Sequence, residues 1–330
     1  MVRTFLAIRL APQIFVQNNA TVTISHLTVD GTGNLIAGCS APTLEGIYFQ
    51  NSSGTITGNV VRNQFQTDFA DYGGCQNGLG INVESLTDSS VVTVTLNSVR
   101  AYQKNGITAT GAGTGPVVTI TNNVVTGLGA TAMNWPGGAA ENGVQVGFGA
   151  SGTVSGNTVN DNIWYADTSS QPGNAATGIL VYASDGITVS DNSVNSAQYG
   201  ISVDTDPTYG PADNNTIKSN KVTGTQIFDG IDLCSSSNTV ESNAIYGSTQ
   251  SGVHSDDSCG SGNNNTITNN RINEACAGIL LGTGTGTVST PNTFLNVTNT
   301  TLSGDVCPAT DASAMGKPSP RPSPFKPNRK

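Results

Sequence analysis

The sequence predicts an all-β protein whose short strands stack as a β-solenoid, and three observations support this fold class. First, the 330 residues are 36% hydrophobic but only 11% charged, which is too few charges for a typical helical protein. Second, β-branched residues are too abundant for a disordered chain, and 40 glycines supply many turns. Third, one short motif recurs at intervals of 23 to 38 residues.

The recurring motif reads Ile or Val, two residues, Asn, one residue, then Val or Ile. Its eight strict copies are centred on Asn59, Asn97, Asn123, Asn157, Asn192, Asn220, Asn243 and Asn270. A second motif, Gly followed by Ile or Val, alternates with the first and begins at Gly46, Gly80, Gly106, Gly143, Gly178, Gly200, Gly230, Gly252 and Gly278. Because no unit this short can bury its apolar side alone, the units must stack as coils about 4.8 Å apart. Asn side chains at one fixed phase would then hydrogen-bond along the stack.

These intervals, interrupted by variable insertions, resemble the right-handed parallel β-helix of the pectate lyase and polygalacturonase superfamily, over roughly residues 20–305. The resemblance implies a right-handed, single-stranded parallel β-helix of about nine to ten coils. The alternative, a two-sheet β-sandwich, lacks the hairpin turn signals that such a fold requires.

The chain is expected to divide into three parts. Residues 1–19 form a lead-in, a candidate for truncation because its four-residue apolar run before Arg9 makes a poor signal peptide. Residues 20–307 form the β-helix, and residues 308–330, rich in Pro, Lys and Arg, form a disordered tail.

The six cysteines point to an oxidising compartment, because none of them forms a CxxC pair. Sequence alone permits 15 pairings of six cysteines. In the coil arrangement, neighbouring coils bring three pairs within disulfide distance: Cys39 with Cys75, Cys234 with Cys259, and Cys276 with Cys307. We therefore expect a secreted or cell-surface protein, and no segment approaches the roughly 20 apolar residues of a membrane-spanning helix.

The charge distribution limits the partners. The net charge is −9, and the six basic residues between positions 17 and 316 face all 22 carboxylates. An acidic body argues against nucleic acid or anionic lipid as a partner. We expect a monomer whose partner is a polysaccharide or another glycan.

A candidate binding surface lies on the Gly-containing strands, where alternation turns the residue after Ile or Val outward. Read along the stack, this row, which we call the strip, contains Tyr48, Asn82, Thr108, Gln145, Leu180, Ser202, Asp232, His254 and Leu280. Long insertions before these strands carry Trp135, Trp164 and Tyr165. Aromatic rings beside polar groups such as Asn82 and Gln145 are typical of sugar-binding sites. The alternative is that the aromatic residues seal apolar clusters beneath the loops.

Acidic residues concentrate at one end of the strip: Asp204, Asp206, Asp229, Asp232, Asp256 and Asp257. Carboxylates on neighbouring coils reach either separation used in glycoside hydrolysis, about 5–5.5 Å or about 6.5–9.5 Å. Two alternatives stay open: a Ca²⁺ site, although no cofactor is required, and solvated turn residues. His254 should stack over Asp232, with Ser202 on the far side of Asp232; this order does not suit a nucleophilic triad but permits a His–Asp pair for proton transfer.

The segment Phe-Asp-Gly-Ile-Asp at residues 228–232 looks like the Asn-Thr-Asp-Gly-Ile-Asp motif of polygalacturonases, which implies that Asp229 is a catalytic carboxylate. The later motifs of those enzymes do not match, and Lys218 and Lys221 lie on the wrong strand for a lyase base. The sequence thus predicts an extracytoplasmic β-helix that binds and degrades a polysaccharide, as a glycoside hydrolase or a lyase. The alternative is a non-catalytic surface, adhesive or structural module.

Overall fold

The computed structural model describes residues 10–68, 74–87, 89–111, 115–129, 140–163, 174–224, 228–259, 262–304, 307 and 321–322. Within these residues every ladder between strands is parallel, and each strand pairs with the equivalent strand of the next coil. The strands that carry the Gly motif, here called Gly-strands, are Thr43–Gln50, Leu79–Ser85, Asn105–Gly111, Asn142–Gly147, Thr177–Tyr182, Tyr199–Asp204 and Ile231–Cys234. Leu10–Val16 has no glycine but occupies the equivalent place in the first coil. The fold class predicted from the sequence is confirmed.

Two further strands complete most coils. The strands that follow the repeated Asn, here called Asn-strands, are Thr28–Asp30, Val60–Gln64, Ser98–Tyr102, Val124–Thr126, Thr158–Asn162, Ser193–Ala197 and Lys221–Thr223. In the last coils the Asn-strand runs on into the Gly-strand, as Ala244–Ser255, Arg271–Leu281 and Thr293–Ser303. A separate nine-stranded sheet contains Thr21–Ser25, Ser53–Thr57, Val91–Thr95, Val117–Thr121, Ser151–Ser155, Thr188–Ser190, Thr216–Lys218, Thr239–Glu241 and Thr266–Thr268.

The ends of the chain add two features. Leu10–Val16 pairs in register with Thr43–Gln50, so the β-helix begins inside the segment expected to be a lead-in. Arg321–Pro322 forms a short parallel pair with Asn174–Ala175. The remainder of the tail predicted at 308–330 lies outside the described residues.

The core is a column of aliphatic side chains that point into the solenoid. One row shows the pattern, with every member fully buried: Ile47, Ile81, Ile107, Val144, Ile179, Ile201, Ile231, Val253 and Ile279. The glycine before each member is required by packing. A Cβ atom at Gly80 would lie 2.5 Å from the carbonyl oxygen of Gly106 and 2.5 Å from Val99 Cγ1. The recurrence of Gly at this position of each coil therefore reflects the close approach of Gly-strand, Asn-strand and neighbouring coil.

The repeated asparagines form one hydrogen-bonded column, as the sequence predicted. In its central part the side-chain amide of Asn123 donates to Asn157 Oδ1 (2.9 Å), and that of Asn157 donates to Asn192 Oδ1 (3.0 Å). Each Oδ1 also accepts the backbone N–H of the preceding Asn. The column continues to Asn292, which the strict motif misses because Ser289 and Phe294 stand at the two positions where Val or Ile was required.

Three disulfides join neighbouring coils, in the pairing expected from the sequence. The Cα–Cα distances are 5.0 Å for Cys39–Cys75, 5.6 Å for Cys234–Cys259 and 6.2 Å for Cys276–Cys307. Such bridges are typical of extracellular proteins. Among the described residues, no helix has the length and apolar character needed to cross a membrane.

Candidate active site

The strip is continuous in the structure. Each of its members is the register partner of the next along the stack, from Tyr48 opposite Asn82 to His254 opposite Leu280. A spacing of about 4.8 Å between strands sets the distance between successive members. The predicted order around His254 holds, because Asp232 pairs with Ser202 on one side and with His254 on the other.

Two further rows of outward side chains flank the strip, and together the three rows form what we call the polar face. The row two residues after the strip contains Gln50, Glu84, Thr110, Gly147, Tyr182, Asp204 and Cys234. The row just before each Gly includes Glu45, Leu79, Asn105, Asn142, Thr177, Tyr199, Asp229 and Ser251. Most of these residues were not predicted, because the sequence pattern identified only one outward position in each Gly-strand.

The polar face is buried although it lies outside the aliphatic core. Every member of the strip is at most 2% exposed. Cys307 packs against Ala277 and Leu280 at one end, and Ala175 and Phe228 pack against Tyr199 near the middle. The sequence predicted an outward polar row but not its burial.

Several buried atoms of this face make no hydrogen bond within the described part of the chain. They are Asn82 Oδ1, Thr110 Oγ1, Thr177 Oγ1 and His254 Nε2. Buried polar groups in proteins are nearly always hydrogen-bonded, so each of these atoms can take one further partner, such as an ordered water or a ligand hydroxyl.

The structure brings Asp229, Asp232 and His254 together at the acidic end of the face, all at most 1% exposed. His254 Nδ1 lies 3.3 Å from Asp229 Oδ2 and 3.7 Å from Asp232 Oδ1. Asp229 Oδ1 accepts the backbone N–H of Ser251 at 3.0 Å and the Ser251 hydroxyl at 2.6 Å. Ser251 is a site residue that the sequence interpretation missed, although it occupies the position just before a repeated Gly.

The charge state of His254 follows from its neighbours. Burial on its own would lower the pKa of His254. The charge of Asp229, its hydrogen bond to the imidazole, and the charges of Asp232 and Asp256 outweigh that effect and raise the pKa to about 9. The imidazole is therefore protonated at neutral pH and neutralises part of the carboxylate charge.

The other predicted carboxylates have different surroundings. Asp204 Oδ1 accepts the Ser202 hydroxyl at 2.7 Å, and that hydroxyl lies 3.3 Å from Asp232 Oδ2, which connects Asp204 to the cluster. Asp206 accepts the hydroxyl of Tyr182 and the backbone N–H groups of a turn.

The side chains of the neighbouring residues Asp256 and Asp257 make hydrogen bonds to different parts of the structure. Asp256 accepts the backbone N–H of Ser258 at 2.8 Å, and Asp257 bonds to Thr283 on the next coil. These hydrogen bonds stabilise turns, and the charge of Asp256 also helps to raise the pKa of His254.

Of the predicted sugar-binding residues, Asn82 and Gln145 lie five and three register steps from Asp232 along the strip. Asn82 donates to Glu45 Oε2 at 3.0 Å, and Gln145 Oε1 accepts the amide of Asn105 at 3.1 Å. Trp135, Trp164 and Tyr165 lie outside the described residues.

Asp229, Asp232 and His254 also satisfy the geometry of a metal site, since one ligand atom from each lies within 4.8 Å of the others. Two carboxylates and an imidazole do not resemble the shell of six to eight oxygens that Ca²⁺ prefers. The donor set of this cluster therefore does not favour the Ca²⁺ site considered from the sequence.

Comparison with known proteins supports the architecture. A model of the right-handed β-helix region matches residues 79–230 and 140–294. DFA-IIIase from Arthrobacter chlorophenolicus A6 in complex with GF2 superimposes with a TM-score of 0.53 at 13% identity, covering 85% of this chain and 74% of that chain. A mutant of DFA-IIIase in complex with DFA-III gives 0.51 at 13% identity, covering 90% and 75%.

At these identities the structural likeness concerns the fold alone, and no curated protein matches the sequence. The two matched segments of the family model overlap and together cover more than half of the chain. The chain therefore belongs to the family of right-handed parallel β-helix proteins.

Proposed function

We propose that this protein is an extracytoplasmic glycoside hydrolase that binds a glycan along the polar face and cleaves it at Asp229, Asp232 and His254. One observation carries the proposal: two buried carboxylates from one coil contact a buried imidazole from the next. The unused hydrogen-bonding atoms of the polar face support glycan binding, and the three disulfides support the location.

We assign Asp232 as the nucleophile, because Asp229 is held by Ser251 and by the imidazole of His254. Attack by Asp232 and then by water inverts the anomeric carbon twice, so the product retains the anomeric configuration of the substrate.

The surroundings of each group suggest its role. Asp229 is fixed by Ser251 and by the imidazole, so it positions His254 and maintains its charge. His254 donates its Nε2 proton to the glycosidic oxygen, while Asp232 attacks the anomeric carbon and the carbon–oxygen bond breaks. Water then attacks the glycosyl-enzyme, and His254 takes up the proton of that water.

The proposal is tested with a polysaccharide array that records both new reducing ends and the absorbance of unsaturated products, with Ca²⁺ and with EDTA. GF2 and DFA-III, bound by the structural neighbours, belong among the probes. We expect new reducing ends without unsaturated product, and loss of at least about a hundredfold in kcat for Asp232→Asn. Asp191→Asn removes the same charge from an exposed corner and should leave turnover unchanged.

Two results would contradict this assignment. Unsaturated product would indicate a lyase, and glycan binding without any turnover would favour a non-catalytic binding module. The first-formed product, observed by NMR, should keep the anomeric configuration of the substrate; an inverted product would exclude Asp232 as nucleophile.

A further inference from the structure

The outward face of the nine-stranded sheet carries the same residue type in every strand. One position is threonine in all nine strands, and each of these threonines is the register partner of the next. The residue after each threonine packs in or against the aliphatic core, so alternation turns the threonine outward. We call this set the Thr row: Thr23, Thr55, Thr93, Thr119, Thr153, Thr188, Thr216, Thr239 and Thr266.

A second row of hydroxyl groups lies beside the Thr row over the first six strands. It is two residues further along each strand and contains Ser25, Thr57, Thr95, Thr121, Ser155 and Ser190. Strands lie about 4.8 Å apart, and alternate residues of one strand lie about 6.6 Å apart, so the two rows form a regular grid. We call it the hydroxyl grid; at about 4.8 Å for each step, the Thr row extends over about 38 Å.

The hydroxyl grid is accessible to solvent, unlike the polar face. Thr23 and Thr119 are exposed, and the other seven threonines of the Thr row are half-buried. Within the described part of the chain, the hydroxyls of the Thr row have no hydrogen-bond partner. Each of them therefore offers one donor and two acceptor sites to a ligand.

The grid is uncharged, although the chain as a whole has a net charge of −9. The six strands from Thr21–Ser25 to Thr188–Ser190 contain no acidic or basic residue. In the next two strands, Lys218 and Glu241 are register partners of opposite charge. None of the nine strands contains an aromatic ring that could stack on a sugar. The face therefore matches an uncharged ligand that both donates and accepts hydrogen bonds.

The repeat alone does not explain the threonines. The Asn-strand sides of the coils have an equivalent outward row, which reads Thr28, Val60, Ser98, Val124, Thr158, Ser193, Lys221, Ala244, Arg271 and Thr293. This row mixes aliphatic, hydroxyl and basic side chains at the same strand spacing. Threonine favours β-strands in general, but that preference acts on both sheets. The uniform row on the nine-stranded sheet therefore points to a function of that face.

We propose that the hydroxyl grid is an ice-binding surface, which holds water molecules at the positions that they take in the crystal lattice. An array of identical groups can recognise only a partner that repeats at the same spacing in two directions. Ice has this property, because its oxygen atoms repeat at distances similar to those of the grid, and each of them both donates and accepts hydrogen bonds. The inference is independent of the proposed hydrolysis, which takes place on the other sheet.

The threonine side chain suits this role. Two heavy atoms on Cβ restrict χ1, so the hydroxyl groups stand at repeated positions before a ligand arrives. The methyl groups of the Thr row, together with Val91 and Val117, limit the orientations of neighbouring water. Val91 and Val117 are register partners beside the grid and are 61% and 42% exposed. The first layer of water is thereby held in an order that a crystal can continue.

The experiment measures thermal hysteresis, the gap between the melting and freezing points of a small ice crystal, in a solution of the full-length, disulfide-bonded protein. We expect a gap for the wild-type protein, and its enrichment in slowly growing ice. Thr153→Tyr places a bulky ring in the Thr row and should abolish most of the hysteresis. Thr158→Tyr is the matched control, because Thr158 is half-buried in the same coil but lies on the Asn-strand; it should leave the hysteresis unchanged.

The melting temperature of each variant reports whether it remains folded. Thr119→Tyr repeats the test at an exposed position of the Thr row, where the larger side chain does not disturb the core. Its hysteresis should fall as in Thr153→Tyr.

Three outcomes would overturn the inference. The first is a folded wild-type protein that shows neither hysteresis nor enrichment in ice. The second is an equal loss in Thr153→Tyr and Thr158→Tyr, because the effect would then not depend on the grid. The third is binding to crystalline cellulose or chitin without ice activity, which would assign the face to a polysaccharide. The hydrolysis assay on the wild-type protein is a separate readout, so failure of either proposal leaves the other intact.

Discussion

His254 and Asp229 show how one contact sets the chemistry of a buried group. Both side chains are at most 1% exposed, and burial alone would favour a neutral imidazole. The carboxylate 3.3 Å away reverses that preference. Ser251 holds the carboxylate from the opposite side, so the charge remains where the imidazole requires it. Protonation of His254 therefore depends on two residues that touch no glycosidic bond in the proposed mechanism.

Replacement of Asp229 by Asn should reveal this dependence directly. Without the charge and the hydrogen bond of Asp229, only Asp232 and Asp256 oppose the effect of burial, so the pKa of His254 should fall from about 9 towards its ordinary value of about 6.5. The imidazole carbon–proton resonances in NMR, followed from pH 5 to pH 10, give the value. The chain has two histidines, so His26 serves as an internal reference. A pKa that stays near 9 in the variant would show that Asp229 does not control it.

At the scale of structural elements, the asparagine column connects the coils through side chains as well as strands. Asn157 Oδ1 accepts both the side-chain amide and the backbone N–H of Asn123, at 2.9 Å each. Asn157 also donates to the carbonyl of Ile120 at 2.9 Å. No solvent reaches these groups, because Asn157 and Asn123 are 1% exposed.

Asn157→Ala should therefore destabilise the protein by about 2–4 kcal/mol, since it leaves buried donors on the preceding coil without an acceptor. Asn195→Ala is the matched control: Asn195 also bonds to an Asn of the neighbouring coil, at 2.9 Å from Asn160, but in a partly buried position. Its removal should cost less than about 1 kcal/mol. Urea unfolding measures both values, and equal losses for the two variants would contradict the role assigned to the column.

Much of the arrangement of the coils could be predicted from the sequence, because the repeated motifs determine it. The phases of Asn and Gly fix which residues stack, and the disulfide pairing follows from neighbouring coils. Glu45 escaped prediction because it has the same alternation phase as the core residue Ile47, so simple alternation would place its side chain in the core rather than beside Asn82. Burial of the polar face was also unpredictable, since it arises from distant segments such as Cys307 over Leu280. The relation of these segments to the coils is not periodic.

Considered as a whole, the molecule is a linear array in which strand pairing joins each coil to its neighbours. The terminal strand Thr293–Ser303 contains no residue classed as buried, whereas every residue of the central strand Asn105–Gly111 is buried. Arrays of this kind tend to lose structure from their ends, because a terminal coil has one neighbour instead of two.

Hydrogen exchange followed by mass spectrometry should therefore show a gradient along the chain. We expect amides in Thr293–Ser303 to exchange at least about tenfold faster than those in Asn105–Gly111. The Cys276–Cys307 bridge should be kept oxidised during labelling, because it fastens this end of the array. Equal protection of both strands would instead indicate that the solenoid opens as a single cooperative unit.

The hydrogen bonds of the asparagine column all run in one direction along the stack. Each inner coil therefore offers its neighbours the same donor and the same acceptor. Each side-chain amide from Asn59 to Asn270 donates to the Oδ1 of the Asn on the following coil, and the last acceptor is Asn292. A coil gained or lost by duplication or deletion thus meets the same donor below and the same acceptor above. Each such event would lengthen or shorten the polar face by one strand spacing, about 4.8 Å. The number of coils therefore sets the length of the polar face, and gene rearrangement changes that length in steps of one coil.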